Sequence, residues 1–226
     1  MDNVLSLNVD MSALAVVRSA DMDWQASPSP TVWRKRLYFD GPAEAGIVTS
    51  VVRYEAGSEF PTHHHPGGEE IFVLDGVFSD EHGDYPAGTY LLNPDGTSHA
   101  PFSKDGCTLF VKLRQYVGEG RTQVEMNSGA LDWQPRNDSG VWQKPLYRQG
   151  GCREWTQLLK LDPGAQSPPH KHPNGEEVFV IDGAIEDEFG AYPAGTWIRY
   201  PPGSSHTVKS PKGAILYVRL GGIAEQ

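Results

Sequence analysis

Six of the eight histidines in this 226-residue chain fall into two sets of identical spacing, His63, His65 and His99, then His170, His172 and His206. Each set has a glutamate four residues after its second histidine, Glu69 and Glu176. Along a β-strand the side chains at i and i+2 share a face, so the two imidazoles of a His-x-His triplet converge on one point. The short turn Pro66-Gly67-Gly68 lets the following strand bring the Glu69 carboxylate back to that point, and His99 arrives after a Pro-Asp-Gly turn. Three imidazoles and one carboxylate form a mixed nitrogen and oxygen donor set suited to borderline divalent metals: zinc, iron, nickel, manganese or copper. The predicted ligands are therefore His63, His65, Glu69 and His99 for one ion and His170, His172, Glu176 and His206 for a second. A lone histidine is most often a surface or hydrogen-bonded core residue; recurrence lifts these six above that reading. His64 is replaced by Lys171 and His82 by Phe189, so the histidines outside the pattern are the ones that changed.

The elements that must position these groups come from an internal duplication, the kind of repeat that decides a fold. Pro61 to His99 placed over Pro168 to His206 gives 23 identities in 39 positions without a gap, an offset of 107. Upstream, Trp24, Trp33, Leu37, Tyr38 and Gly41 fall on Trp133, Trp142, Leu146, Tyr147 and Gly150 at an offset of 109, and downstream Cys107 to Leu113 falls on Ala214 to Leu220. The units are accordingly placed at residues 1–117 and 118–226. Inside each, short β-branched or aromatic runs such as 47–54, 70–74, 89–92 and 108–113 are bounded by turn residues, Asp-Gly at 75–76 and 182–183 among them. This pattern argues all-β architecture, two sandwiches or barrels in tandem.

Composition narrows the function. A net charge of −10 repels phosphate backbones and anionic lipid surfaces, so neither nucleic acid nor membrane is an expected partner. No run approaches the ~18 apolar residues that a membrane-spanning helix needs, and the amino terminus lacks the basic and apolar regions of a signal peptide. Two cysteines, Cys107 and Cys152, suit a reducing compartment and a cytoplasmic location. Cys107, replaced by Ala214 in the repeat, reads as a small core residue.

Gly57-x5-His63-x-His65-x3-Glu69-x6-Gly76, followed by Gly88-x5-Pro94-x-Gly96-x2-His99, resembles the two signature motifs of the cupin superfamily. Gly164, His170, His172, Glu176, Gly183, Gly195, Pro201, Gly203 and His206 repeat it without a spacing error. The chain is thus similar to a bicupin, which implies two tandem jelly-roll barrels of the double-stranded β-helix type. The segment GGEEIFVLDGVFSDEHGDYPAGTY resembles more closely the cupin domain of ChrR-type anti-sigma factors, whose barrel binds zinc and contributes to a response to singlet oxygen and related oxidants. That resemblance implies a metal-binding regulatory or oxidant-sensing module, with one divalent metal per barrel. Zinc is the expected ion, and iron, nickel or manganese would also suit. In that family the sigma factor is gripped by a separate amino-terminal helical domain carrying its own His and Cys ligands. Here no His or Cys precedes His63, so sigma-factor binding is doubtful. Other cupins with three His and one Glu are iron-dependent dioxygenases, and the alternative is a mononuclear non-haem dioxygenase acting on a small diketone or aryl ketone. Fold alone does not choose between them. Four protein ligands fill a tetrahedral zinc site, whereas an octahedral iron keeps two positions open.

Remaining expectations are smaller. Ser103 and Ser210 stand where many cupins carry an asparagine, a departure that touches no ligand. Ile71, Val73, Val178 and Val180 should share the ligand face and make the barrel lining apolar. Glu70 and Glu177 should point away from the metal as solvated or interface carboxylates, and the four repeated tryptophans should cover core edges. No catalytic residue is assigned. A small molecule or oxidant is the partner the site would take, and because cupin barrels commonly pair, the units should pack on each other, with a homodimer as a further step.

Overall fold

The computed structural model of the chain describes residues 4–136 and 140–223. Among these residues the only helical segments are two short 3-10 turns, Ser19–Asp21 and Ser128–Ala130. Everything else regular is strand. In the first unit the main sheet runs Val4–Leu7, Val32–Pro42, Ile47–Tyr54, Cys107–Leu113, Glu69–Asp80, Thr89–Asn93 and Val124–Asn127. The second sheet runs Gln134–Pro135, Val141–Arg148, Trp155–Leu161, Ala214–Leu220, Glu176–Glu186, Thr196–Tyr200 and Ala15–Arg18, repeating the order from its second strand on, while Gln134–Pro135 matches Gln25–Ala26 of the first unit. All these pairs are antiparallel, the arrangement of a jelly roll. Inward alternation builds each core: Ile71, Val73, Leu109 and Val111 are buried together in the first barrel, and Val178, Val180, Leu216 and Val218 in the second. The expected apolar lining is present.

The compact units do not follow the repeat boundary at 117/118. One comprises residues 1–9 and 22–130, the other 10–21 and 131–226. The strand Ala15–Arg18, which leads into the first repeat, pairs with Thr196–Tyr200 and is the edge of the second sheet. Its counterpart Val124–Asn127, leading into the second repeat, pairs with Thr89–Asn93. Matching backbone bonds seal both joints, Ser19 N donating to Gly195 O and Ser128 N to Gly88 O, each at 3.0 Å. A lead-in strand needs a sheet edge for its amide groups, and the edge it takes belongs to the barrel of the other repeat.

The Asp-Gly dipeptides are not hairpin turns. Glu69–Asp80 and Glu176–Glu186 run through them as single long strands. Each strand slips register there, between residues 73 and 75 opposite Leu109 and between 180 and 182 opposite Leu216. Such a bulge bends the strand, so that its first half pairs in the main sheet and its second half with the next hairpin. Gly76 has φ +75° and a Cβ there would lie 2.2 Å from Gly106 O; Gly183 has φ +72° and the clash is 2.0 Å from Gly213 O. Only glycine fits a left-handed residue pressed against a neighbouring backbone. The bend carries the strand from the ligand Glu69 at its start to Asp80 at its end, which also serves the site.

Candidate metal centre

Two short ladders deliver the histidines. His63–His64 pairs with Ser98–His99, setting His63 opposite His99, and His170–His172 pairs with Ser204–His206, setting His170 opposite His206. Glu69 and Glu176 open the long central strands. In each barrel the four predicted side chains come together, with one ligand atom from each lying within 4.8 Å of all the others. His65 Nε2 and His99 Nε2 stand 3.3 and 3.4 Å from Glu69 Oε2, and His63 Nε2 is 4.0 Å from Oε1. In the second barrel His172 Nε2 and His206 Nε2 lie 3.3 and 3.4 Å from Glu176 Oε2. All of these residues are buried except His63 and His170, which are half-buried.

Hydrogen bonds on the far side of the rings decide which nitrogen faces the centre. His63 Nδ1 lies 3.1 Å from Pro61 O, which can only accept, so Nδ1 carries the proton. His99 Nδ1 lies 3.0 Å from Asp80 Oδ2 and donates to that carboxylate. His65 Nδ1 lies 2.8 Å from Thr97 Oγ1, whose one proton is given to Pro94 O at 2.7 Å, so the hydroxyl accepts and His65 is again the donor. With Nδ1 protonated in each ring, all three Nε2 lone pairs point inward. His65 Nε2 and His99 Nε2 are buried without a hydrogen-bond partner, a costly state that a cation relieves. In the second barrel His170 Nδ1 meets Pro168 O at 3.0 Å and His206 Nδ1 meets Asp187 Oδ2 at 3.4 Å, while His172 Nε2 and His206 Nε2 sit 3.0 Å apart. The donor set and its tautomers fit a divalent metal in both barrels.

Electrostatics divide the histidines: burial opposes the charged forms of His63 and His206, but the neighbouring carboxylates outweigh it and raise both. Burial opposes a charged Glu69, but the surrounding imidazoles outweigh it and hold the carboxyl down at about 2. Burial, with help from the neighbouring imidazoles, pushes His65 and His172 below the ordinary histidine range despite the opposing glutamates. A neutral imidazole and an ionised carboxylate are the forms a metal requires.

Sequence reasoning missed the groups that orient these ligands. Asp80 fixes His99 and also accepts from His82 N, Gly83 N and Tyr85 OH through Oδ1. Asp187 does the same for His206, Phe189 N, Gly190 N and Tyr192 OH. Such acceptors set ring orientation and strengthen metal binding. The signal was present: both aspartates and both tyrosines survive at the offset of 107. Ser103 and Ser210 each donate at 2.6 Å to a backbone oxygen, Val77 O and Ala184 O, well away from the ligands.

Two expectations need correction. Glu70 and Glu177 are not solvated; both are buried, because that face of the sheet is covered too. Tyr116 OH donates to Glu70, and Arg219 Nη1 lies 3.5 Å from Glu177. The repeated tryptophans are half-buried and take polar partners as well: Lys35 and Arg53 lie 4.6 and 4.5 Å from Trp24, Lys144 lies 4.7 Å from Trp133, and Trp33 and Trp142 donate through Nε1 to Glu55 and Asp162.

The space beside the two ligand sets differs. A single chamber of 370 Å³ has His63, His65, Glu69 and His99 in its wall together with Val48, Ser50, Val52 and Tyr54. Around the second set the space is divided between cavities of 80 and 250 Å³, with Leu159, His170 and Glu176 in the walls of both. Burial, then the Glu69 and Cys107 charges, push the Tyr54 pKa far up, so the phenol keeps its proton.

A family model described as the ChrR cupin-like domain matches residues 12–117 and again 121–224. Among solved structures, a candidate dioxygenase from Nostoc punctiforme is 15% identical over 92% of this chain and 82% of its own, with a TM-score of 0.74. Ylba from E. coli is 17% identical over 96% and 94%, TM-score 0.70. Oxalate decarboxylase from Bacillus subtilis, whose description names Mn(II) centres, is 14% identical over 91% and 76%, TM-score 0.64. At these identities the likeness establishes a shared fold, tandem cupin barrels. No curated protein matches the sequence. Among the described residues no helix is long and apolar enough to cross a membrane.

Proposed function

The chain belongs to the ChrR cupin-like domain family through both of its halves, and we propose that it is a metal-dependent enzyme whose reacting centre is the first barrel, a mononuclear non-haem oxygenase of small ketones. The observation that carries this reading is the 370 Å³ chamber with the whole first ligand set in its wall. A chamber of that size lies within the range of small-molecule sites, about 300–1,000 Å³, and it adjoins the ligand set, where an octahedral ion would offer its open positions to a substrate. A bound iron would supply dioxygen activation and polarise a ketone oxygen.

The chain's own residues do the rest. His63, His65 and His99 present Nε2 lone pairs fixed by Pro61, Thr97 and Asp80, and Glu69 adds one anionic oxygen. Ile71, Leu109 and Val111 hold a carbon skeleton and exclude water. Tyr54 keeps its proton and donates a hydrogen bond to a substrate oxygen. The second barrel, with Leu161 in place of Tyr54, holds its ion as a structural element. Oxygen uptake by the iron-loaded protein on a panel of small diketones and aryl ketones tests this. Uptake at turnover rates, abolished by His99→Ala and slowed by Tyr54→Phe, is expected; no uptake with any substrate of the panel, or uptake indifferent to His99→Ala, overturns it.

One observation favours a second reading, an oxidant-sensing module. The His63 side chain is 32% exposed while those of His65 and His99 are 2% and 3%, so one imidazole of a zinc site is open to attack by an oxidant. Zinc released on exposure to singlet oxygen, with no oxygen uptake by the iron form, is the result that selects it.

A further inference from the structure

The first-barrel chamber contains charge that ketone oxygenation does not use. Alternation along Val32–Pro42 turns Val32, Arg34 and Arg36 to one face, and all three lie in the chamber wall. Guanidinium groups on an otherwise apolar interior face are expensive unless an anion meets them. Here a single carboxylate answers both. Arg34 Nη1 donates to Glu44 Oε2 at 2.8 Å and Nη2 to Oε1 at 2.5 Å, while Arg36 Nη2 reaches Oε1 only at 3.4 Å. Arg34 Nε is buried with no partner. Arg36 also donates to Ala43 O at 3.0 Å and to Gln25 Oε1 at 3.4 Å, so Glu44 is the one carboxylate among these partners, and burial, then the charge of Arg34, pull the Arg36 pKa down. Arg114 adds a third cation to the same wall.

Neither the fold nor the metal requires this pair. At the same strand positions the second barrel carries Gln143 and Pro145, and its ligand set assembles equally well. Glu44 is on the exposed turn that joins Val32–Pro42 to Ile47–Tyr54, and its side chain is 53% exposed. It can give way to an incoming carboxylate, because that exchange returns Glu44 to solvent and leaves the guanidinium groups paired.

We infer that Arg34 and Arg36 are the carboxylate-recognising end of the first-barrel chamber, with Glu44 as a place-holder, and that the ligand is a small 2-oxo acid with an apolar body rather than a neutral ketone. This rests on the first barrel being the ligand site. The planar fork that Arg34 offers Glu44 is the geometry a ligand carboxylate would take over. The 2-oxo carbon is bonded to that carboxylate, so it lies beside the arginines on the side facing Tyr54 and the histidines, and the carbon body extends from it along the apolar wall.

The test compares phenylglyoxylate with its uncharged analogue 1-phenylpropane-1,2-dione, titrated calorimetrically under nitrogen into the metal-loaded full chain at low ionic strength. The acid is expected to bind at least tenfold more tightly than the dione. Replacing both arginines, Arg34→Gln with Arg36→Gln, should erase that preference while leaving dione affinity and metal content unchanged, which separates the arginines from chelation of the metal by the acid. Glu44→Gln, on an exposed turn that tolerates change, should tighten the acid further. Equal binding of both probes, binding of neither, or a preference that survives the double substitution overturns the inference. Because binding is read without oxygen, a retained preference with no turnover sinks the oxygenase reading alone, and turnover of the dione without any preference sinks this one alone.

Discussion

In the first barrel the strand facing the ligand set carries Val48, Ser50, Val52 and Tyr54; in the second the same positions carry Trp155, Gln157, Leu159 and Leu161. At the first three positions the second barrel has the larger side chain, and its space is divided where the first is open. A second exchange acts beside the metal. Asn93 Nδ2 donates to Glu69 Oε2 at 3.2 Å, whereas its counterpart Tyr200 sends its hydroxyl to Asp187 Oδ2 at 2.6 Å and lays its ring 4.2 Å from that of His206. Meanwhile the three His and one Glu of each cluster, and the aspartate behind its last histidine, are the same in both barrels. The two barrels thus share the geometry of the His and Glu cluster and differ in the chamber beside it.

The largest way to break this comparison is to remove a ligand. His65→Ala should lower metal content from about two ions per chain to about one, measured by elemental analysis, with the second site intact; loss of both would mean the barrels are not independent. Chelating both ions should lower the melting temperature, since a metal present a thousandfold above its Kd contributes about 4 kcal/mol. Next, the first wall can be made to resemble the second. Ser50→Gln, Val52→Leu and Tyr54→Leu together should cut binding of an aryl 2-oxo acid by more than tenfold by calorimetry while metal content stays at two, and unchanged binding would show that the chamber is not where ligands go.

Smaller effects sharpen the picture. Asp80→Asn removes the acceptor that orients His99 and should weaken metal binding in the first site by about 10–100-fold in a competition assay with a chelator. Asp187→Asn should cost less in the second, where the contact to His206 is 3.4 Å rather than 3.0 Å. The smallest concerns Cys107. Burial pushes its thiol up to about 11, so the folded state favours the neutral form. Its stabilising contribution is complete below the ordinary thiol range, near 8.5, and is lost as pH rises toward 11. Alkylation of Cys107 at pH 8 should therefore be much slower in folded than in urea-unfolded protein, read by mass spectrometry.

What the linear chain determined is the part of the molecule with a short-range cause. The i, i+2 alternation of a strand put His63 beside His65 before any fold was known. The repeat distinguished pattern histidines from incidental ones, and glycine and proline marked the ends of most strands. The all-β tandem architecture and the two clusters of three His and one Glu were legible for that reason. The Asp-Gly positions misled because a left-handed glycine serves a hairpin turn and a strand bulge equally well; the contact of Gly76 with Gly106, 30 residues away, decides between them.

Tertiary structure alone decided the rest. Which barrel receives each lead-in strand could not be read locally, because two nearly identical repeats offer equivalent sheet edges to the same strand. The burial of Glu70 and Glu177 depends on what covers the second face of their strands, and alternation reports only that the face is different. The chamber is likewise a property of several strands at once: Val52 against Leu159 is one methylene in the sequence, and it becomes an open or a divided cavity only when the opposite wall is known. The carboxylate site at Arg34 and Arg36 follows the same rule, since two basic residues on a strand read as a solvated edge until the fold turns them inward.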